Sequence, residues 1–185
     1  MIKPNPFPET TLIHDKSRFE DISKGKWSST SEDPSWKSGY RRYGAAKLCA
    51  MMMVHELQRR MNTDPLLKNI SILAVDPGFM STGLQRDGPW YVRLLVFNVL
   101  FPIGVWLMPN GPIRSPDTSA GHVLRAAFEE GLGGDGGTKG LYFDGVVPAE
   151  TSGESRDGGK RELVWKESVR LTGLRDGETA LEDWR

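Results

Sequence analysis

A tyrosine and a lysine stand four residues apart in the stretch YRRYGAAKLCAMM, residues 40–52, at Tyr43 and Lys47. On a helix, residues at that spacing are neighbours on one face. A free phenol has a pKa near 10 and is a poor base at neutral pH, but an ammonium within about 4–6 Å favours the phenolate. Lowering the value by roughly three pH units, each worth about 1.4 kcal/mol, would poise the tyrosine for proton transfer near neutrality. Gly44, Ala45 and Ala46 lie between the two and allow a flat ligand to approach the helix closely. Taken alone, Y-x-x-x-K is common by chance, so the surrounding elements decide what it means.

Apolar periodicity predicts a helix from about Tyr40 to Met61, with Leu48, Met51, Met52, His55 and Leu57 near one broad face. Arg59 and Arg60 fall in its last turn, where cations suit the negative helix end, and Pro65 forbids easy continuation. NISILAVDPG, residues 69–78, is a short apolar run ended by Pro77-Gly78 and reads as a strand buried on both faces. A helix capped by Ser115 or Asp117 is expected through Phe128, and the glycine-dense GLGGDGGTKG is a loop. LYFDG (141–145) reads as a second strand, and a charged helix is expected from near Gly159 to Gly173. Residues 1–38 show no sustained period and read as an irregular segment ahead of an ordered part spanning 39–185. Two strands alternating with helices imply an α/β fold whose sheet is too small to be covered by itself.

Several function classes are disfavoured. Lys+Arg and Asp+Glu both count 24, so no net field argues for nucleic acid or an anionic membrane. The apolar run LLVFNVLFPIGVWLM, residues 94–108, is broken by Asn98, Pro102 and Gly104 and is shorter than the roughly 20 residues of a spanning helix. It reads as a buried helix or a flap over an apolar pocket, with membrane-surface contact by residues 90–108 as the lesser alternative. The opening MIKPNPFPETTLIHDK lacks the pattern of a signal peptide, and the single Cys49 fits a reducing compartment, so a cytoplasmic protein is expected.

GLGGDG (131–136) matches G-x-G-x-x-G, yet it follows a helix and opens a strand, the reverse of a dinucleotide site. GESRDGGKR has the wrong spacing for a nucleotide phosphate loop and carries Arg161 where Ser or Thr would hold magnesium. His14, His55 and His122 are far apart with no partners at ligand spacing, so no metal site is expected. Cys49 reads as a buried, inert thiol.

The order of the helix Y-G-A-A-K-L, a buried strand and then DPGFMSTGL resembles the C-terminal half of the short-chain dehydrogenase/reductase family. WSSTSEDPSWKSGYRRYGAAKLCAMMMVHELQRRM is similar to fungal members of its retinol-dehydrogenase-like group, and the likeness covers roughly residues 20–185. The resemblance implies that Tyr43 is the catalytic acid/base and that Lys47 orients the nicotinamide ribose and lowers the tyrosine's pKa. It also implies that Pro77, Gly78 and Thr82 lie against the nicotinamide. NAD(P) is then the implied cofactor, and residues 90–108 become a substrate-covering region suited to an apolar alcohol or ketone. A homo-oligomer paired through the Tyr43 helix is implied as well.

The family's T-G-x-x-x-G-x-G turn and N-A-G motif do not occur in this sequence, and 42 residues precede Tyr43 where several strands are expected. Ser29, Thr30 and Ser31 lie near the family's usual serine spacing, but no buried strand leads into them, so they read as loop residues. The expected fold is therefore α/β, the C-terminal part of a Rossmann-type doubly wound sheet without its N-terminal dinucleotide-binding half. Two alternatives to redox chemistry stand beside it: a remnant acting as a binding or assembly module, and non-redox proton transfer by the same pair.

Overall fold

A computed structural model describes residues 11–80, 100–107, 111, 113–129, 131–132 and 137–185. These residues form a mixed α/β structure of six helices and three strands. In chain order they are α1 (Lys16–Ser23), α2 (Trp36–Thr63), β1 (Ala74–Asp76), α3 (Phe101–Leu107), α4 (Pro116–Phe128), β2 (Tyr142–Asp144), β3 (Val147–Ala149), α5 (Gly153–Arg156) and α6 (Gly158–Thr172). The chain divides into two compact units, one of Met1–Ile72 with Thr151–Arg185 and the other of Leu73–Glu150.

In the first unit α2 runs longer than the apolar period alone predicts, because Ser35 caps it by accepting the Lys37 N–H. At the far end Asp64 leaves helical geometry and accepts the N–H groups of Leu66 and Leu67 at 2.9 and 3.0 Å. The segment 1–38, expected to be irregular, contains α1. Asp15 caps this helix through the Arg18 N–H at 2.9 Å, and Phe19 is buried; eight residues are too few to show a period. Just before it, Leu12 and Ile13 are buried, and their N–H groups donate to the Glu154 carboxylate, Ile13 at 2.7 Å. These residues pack with Ala45 and Met52 of α2 and Val164 of α6. A second cluster joins Met61 to Trp165, Leu181 and Trp184.

Between the two clusters α2 buries charge. Glu56 and Arg60 are 1% and 2% exposed, and Arg60 Nε donates to Glu56 Oε1 at 2.9 Å. Arg59 adds a second donor to the same oxygen at 2.6 Å. Burial pushes Glu56 up, but these hydrogen bonds outweigh it and hold the carboxyl below its ordinary value. Arg60 Nη1 reaches the carbonyls of Asp183 and Arg185 at 2.6 and 2.9 Å, and its guanidinium lies 4.9 Å from the Trp165 ring centroid. Trp165 in turn donates its Nε1–H to the Trp184 carbonyl at 2.7 Å. Sequence position alone reads Arg60 as a cation suited to the negative helix end. The structure shows it buried, because Trp165, Glu56 and the tail carbonyls together satisfy its donors.

The second unit holds a sheet of order β1-β2-β3. β1 pairs parallel with β2, Asp76 opposite Asp144, and β2 pairs antiparallel with β3, Phe143 opposite Pro148. The third strand is legible only weakly in the sequence, since Pro148 belongs to edge strands. Its hairpin needs a positive φ, which Gly145 supplies at 67°. β1 is half-buried along its length, not buried on both faces as its composition predicts. Ser115 caps α4 by accepting the Thr118 N–H at 3.1 Å, with Asp117 in the first turn.

Arg114, 5% exposed, ties this unit together. It donates to the Asp76 carbonyl at 3.1 Å and to the Asp144 carboxylate at 2.8 Å. His122 packs beside it, so closely that a Cβ at Gly145 would stand 3.0 Å from His122 Nδ1 and 3.2 Å from Arg114 Cζ. The buried Nδ1 has no hydrogen-bond partner among the described residues. Burial, then the charges of Arg114 and Arg125, hold His122 below its ordinary value, against a smaller opposing pull from Asp144.

Two outcomes follow. Arg60→Met leaves Glu56 buried beside fewer donors and is expected to cost about 3–5 kcal/mol, read by urea unfolding, with earlier proteolysis after Leu174. His122 is depressed in the folded state, so its contribution is fully present above about pH 6.5 and is lost as pH falls through the folded value. Urea midpoints are expected to decline below about pH 6.5, and His122→Gln is expected to flatten that decline.

Candidate active site

The core contacts of α2 dictate what its other face offers. Ala45 is fully buried, so Tyr43 and Lys47 point away from the core and Tyr43 is 60% exposed. The Lys47 Nζ lies 5.5 Å from the centre of the Tyr43 ring, a cation–π contact across one helical turn. The two residues are thus brought together as their spacing predicts, on a helix whose opposite face is anchored.

The loop before α2 is fixed to its first turns. Arg41 Nε donates to Ser28 Oγ at 2.7 Å and Arg41 Nη2 to Asp33 Oδ2 at 2.6 Å, while Arg42 donates to the Ser28 carbonyl. Ser28 takes a left-handed φ of 52°, which these two arginines hold in place. Hydrogen bonds from Ser35 and then Arg41 lower Asp33 to about 2, so the Asp33–Arg41 pair stays charged across the ordinary pH range. Ser29 and Ser31 share a hydrogen bond at 2.8 Å within this loop, in keeping with their reading as loop residues. The Arg41–Arg42 clamp went unread in the sequence, although an Asp-Pro turn ahead of two arginines in a helix's first turns is its signal.

On the second unit, the Pro77–Gly78 turn is built with equal care. Asp76 Oδ1 accepts the Gly78 N–H at 2.9 Å, and Gly78 adopts a φ of 76° that a side chain would oppose. Ser119 Oγ donates to the Pro77 carbonyl at 2.7 Å, and the Arg114 N–H donates to the Phe79 carbonyl at 2.8 Å. Tyr142 donates to Asp76 Oδ2 at 3.2 Å. Burial first and the Asp76 charge second push this phenol up to about 12, so Tyr142 is no candidate for proton transfer. Thr82 lies outside the described residues, as does most of the stretch 90–108.

Two further readings meet the structure here. Burial, reinforced by the Glu154 charge, pushes the half-buried Cys49 thiol up to about 11, which suits an inert thiol and not a nucleophile. The part of the long apolar run that is described, α3, is not a buried helix. Trp106 is 80% exposed, and Ile103 and Leu107 are exposed with it. No helix of the described residues is long and apolar enough to cross a membrane.

No family model and no solved structure matches this chain. Curated proteins do. A short-chain dehydrogenase of Talaromyces variabilis is 44% identical over 169 residues, covering 89% of this chain and 46% of that protein. A polyprenol dehydrogenase of Mus musculus is 30% identical over 80% of this chain and 40% of its own length. A short chain dehydrogenase/reductase of Gibberella zeae is 32% identical over 77% of this chain and 40% of its own length. The chain therefore spans about half the length, or less, of the curated relatives it matches. Joined to the tyrosine–lysine helix and the Asp-Pro-Gly turn after a parallel strand, these likenesses show that the chain belongs to the short-chain dehydrogenase/reductase family.

Proposed function

We propose that this chain carries the proton-transfer part of an NAD(P)-dependent oxidoreductase acting on an apolar alcohol or ketone. The observation that carries the reading is the solvent-facing Tyr43 with the Lys47 ammonium 5.5 Å from its ring, on a helix whose other face is locked into the core. Such a pair is of use where a molecule with a titrating oxygen comes to the helix surface.

In the first unit, Lys47 offers donors suited to the ribose hydroxyls of a nicotinamide cofactor. In the second unit, taken by itself, Gly78 offers backbone without a side chain in a turn held by Asp76, Ser119 and Arg114. The bound nicotinamide supplies or accepts the hydride. Tyr43 gives a proton to the substrate oxygen in reduction and takes it back in oxidation, with Lys47 beside it on the same helix face. The substrate class rests on the apolar surface of α3, where Ile103, Trp106 and Leu107 are exposed. The mouse relative is named for polyprenol, and the same broad class of apolar alcohol is assigned here.

The test is an NADPH titration followed by turnover assays with long-chain aliphatic alcohols and aldehydes. Tyr43→Phe is expected to retain nucleotide binding and to lower turnover by about 10²–10⁴-fold, while Lys47→Met weakens both. A chain that self-associates but ignores NADPH and NADH at millimolar concentration overturns the reading and leaves an assembly role.

A further inference from the structure

The second unit also turns an apolar helix face to water. On α3, Pro102, Ile103, Trp106 and Leu107 are exposed, and Leu100 is exposed just ahead of them. At about 100° per residue those helix positions fill one arc of roughly 140°, so they form a single stripe and not a scatter. The inner side of α3 is fixed. Gly104 comes so close to Ile113 that a Cβ there would stand 3.1 Å from Ile113 Cδ1, and Phe101 is half-buried. Ile113 is bridged in turn to Phe79, whose carbonyl accepts the Arg114 N–H. The helix is thereby held with its apolar stripe outward.

The make-up of the stripe selects among partners. A stable protein interface engages about 20–30 residues a side, far more than the exposed face of a seven-residue helix supplies. α3 also contains no charged residue, so it lacks the groups that fix the register of a protein partner. No Asp or Glu occurs between Asp87 and Asp117, and a segment without carboxylates is not repelled by lipid phosphates. Arg114, a cation of that segment, is committed to the Asp76 carbonyl and the Asp144 carboxylate, which leaves apolar burial as the attachment. Trp106 suits the boundary between headgroups and acyl chains, where the ring body is buried and the indole N–H stays wet.

We propose that the outer face of α3, carried by Ile103, Trp106 and Leu107, docks on the surface of a phospholipid bilayer. α3 lies in the plane of the interface with these side chains turned into the acyl boundary. It does not span, being far shorter than the roughly 20 residues that spanning requires. Contact through so few side chains is shallow and reversible. The proposal stands on the geometry of α3 and does not need the redox reading, although a bilayer is also where an apolar alcohol dissolves.

The test floats the full chain with vesicles of phosphatidylcholine, alone or mixed with phosphatidylserine, at low and high salt. Binding to both is expected, with little loss in salt, because apolar burial is not screened. Trp106→Ser combined with Leu107→Ser is expected to lower the partition coefficient by about tenfold or more. Tyr43→Phe is expected to leave it unchanged, so loss of turnover and loss of binding are separable. Should the double variant fail to fold, Trp106→Phe is expected to float as before and to lose most of the fluorescence quenching by brominated lipid. A chain that ignores phosphatidylcholine, one that binds phosphatidylserine only at low salt, or a folded double variant that floats as well as the parent overturns the proposal. So does undiminished quenching in Trp106→Phe. Self-association that the double variant abolishes, without flotation, overturns it in favour of a second copy on this face.

Discussion

Two opposite charges enclosed in a helix interface hold together only when their remaining polar atoms also find partners, since desolvation otherwise exceeds the attraction. Glu56 and Arg60 meet that condition through Arg59, the Trp165 ring and two carbonyls of the final residues. The pair therefore does more than join two turns of α2. It sets how the helix is rotated against α6 and where the last residues of the chain lie, because the apolar clusters flank it on both sides. A helix fixed on that face presents Tyr43 and Lys47 on the other, and the proposed proton transfer depends on this orientation.

The second unit solves a comparable problem with one arginine. Arg114 reaches the end of β1 and the end of β2 at once, so the strand ends are set by side-chain donors where the ladder of hydrogen bonds stops. The turn that follows β1 inherits its shape from Asp76 and Ser119. Among the described residues of this unit, β1 is half-buried and Phe143 is fully enclosed. Polar contacts define the strand ends and the turn after β1.

How much of this was legible in the sequence follows from which interactions leave a local trace. α2, α4, α6, β1 and β2 were readable because period, caps and the terminal Gly173 are written within a few residues. That Tyr43 and Lys47 lie side by side was readable for the same reason. α1 was missed because its one buried apolar residue, Phe19, gives no period, and β3 because Pro148 masks a strand two residues after a turn. The burial of Arg60 depends on residues 183–185, and that of Ile13 on Glu154, separations of more than 120 residues. No pattern along the chain carries such pairings. The sequence left α3 open between a buried helix, a flap and a surface contact, because apolar composition reports what a segment prefers, not whether neighbours cover it; the exposed Ile103, Trp106 and Leu107 rule out the buried helix.

The outward orientation of Tyr43 has an evolutionary side. A side chain left mostly in water contributes little to folding, so its replacement is nearly silent in stability. Glu56 and Arg60, thirteen and seventeen positions further along the same helix, are bound by the opposite rule. Selection on folding alone would therefore keep the anchor and let the Tyr43–Lys47 pair drift. Its persistence in any lineage of such chains would record selection for chemistry, and its decay would leave a sound helix with nothing to do.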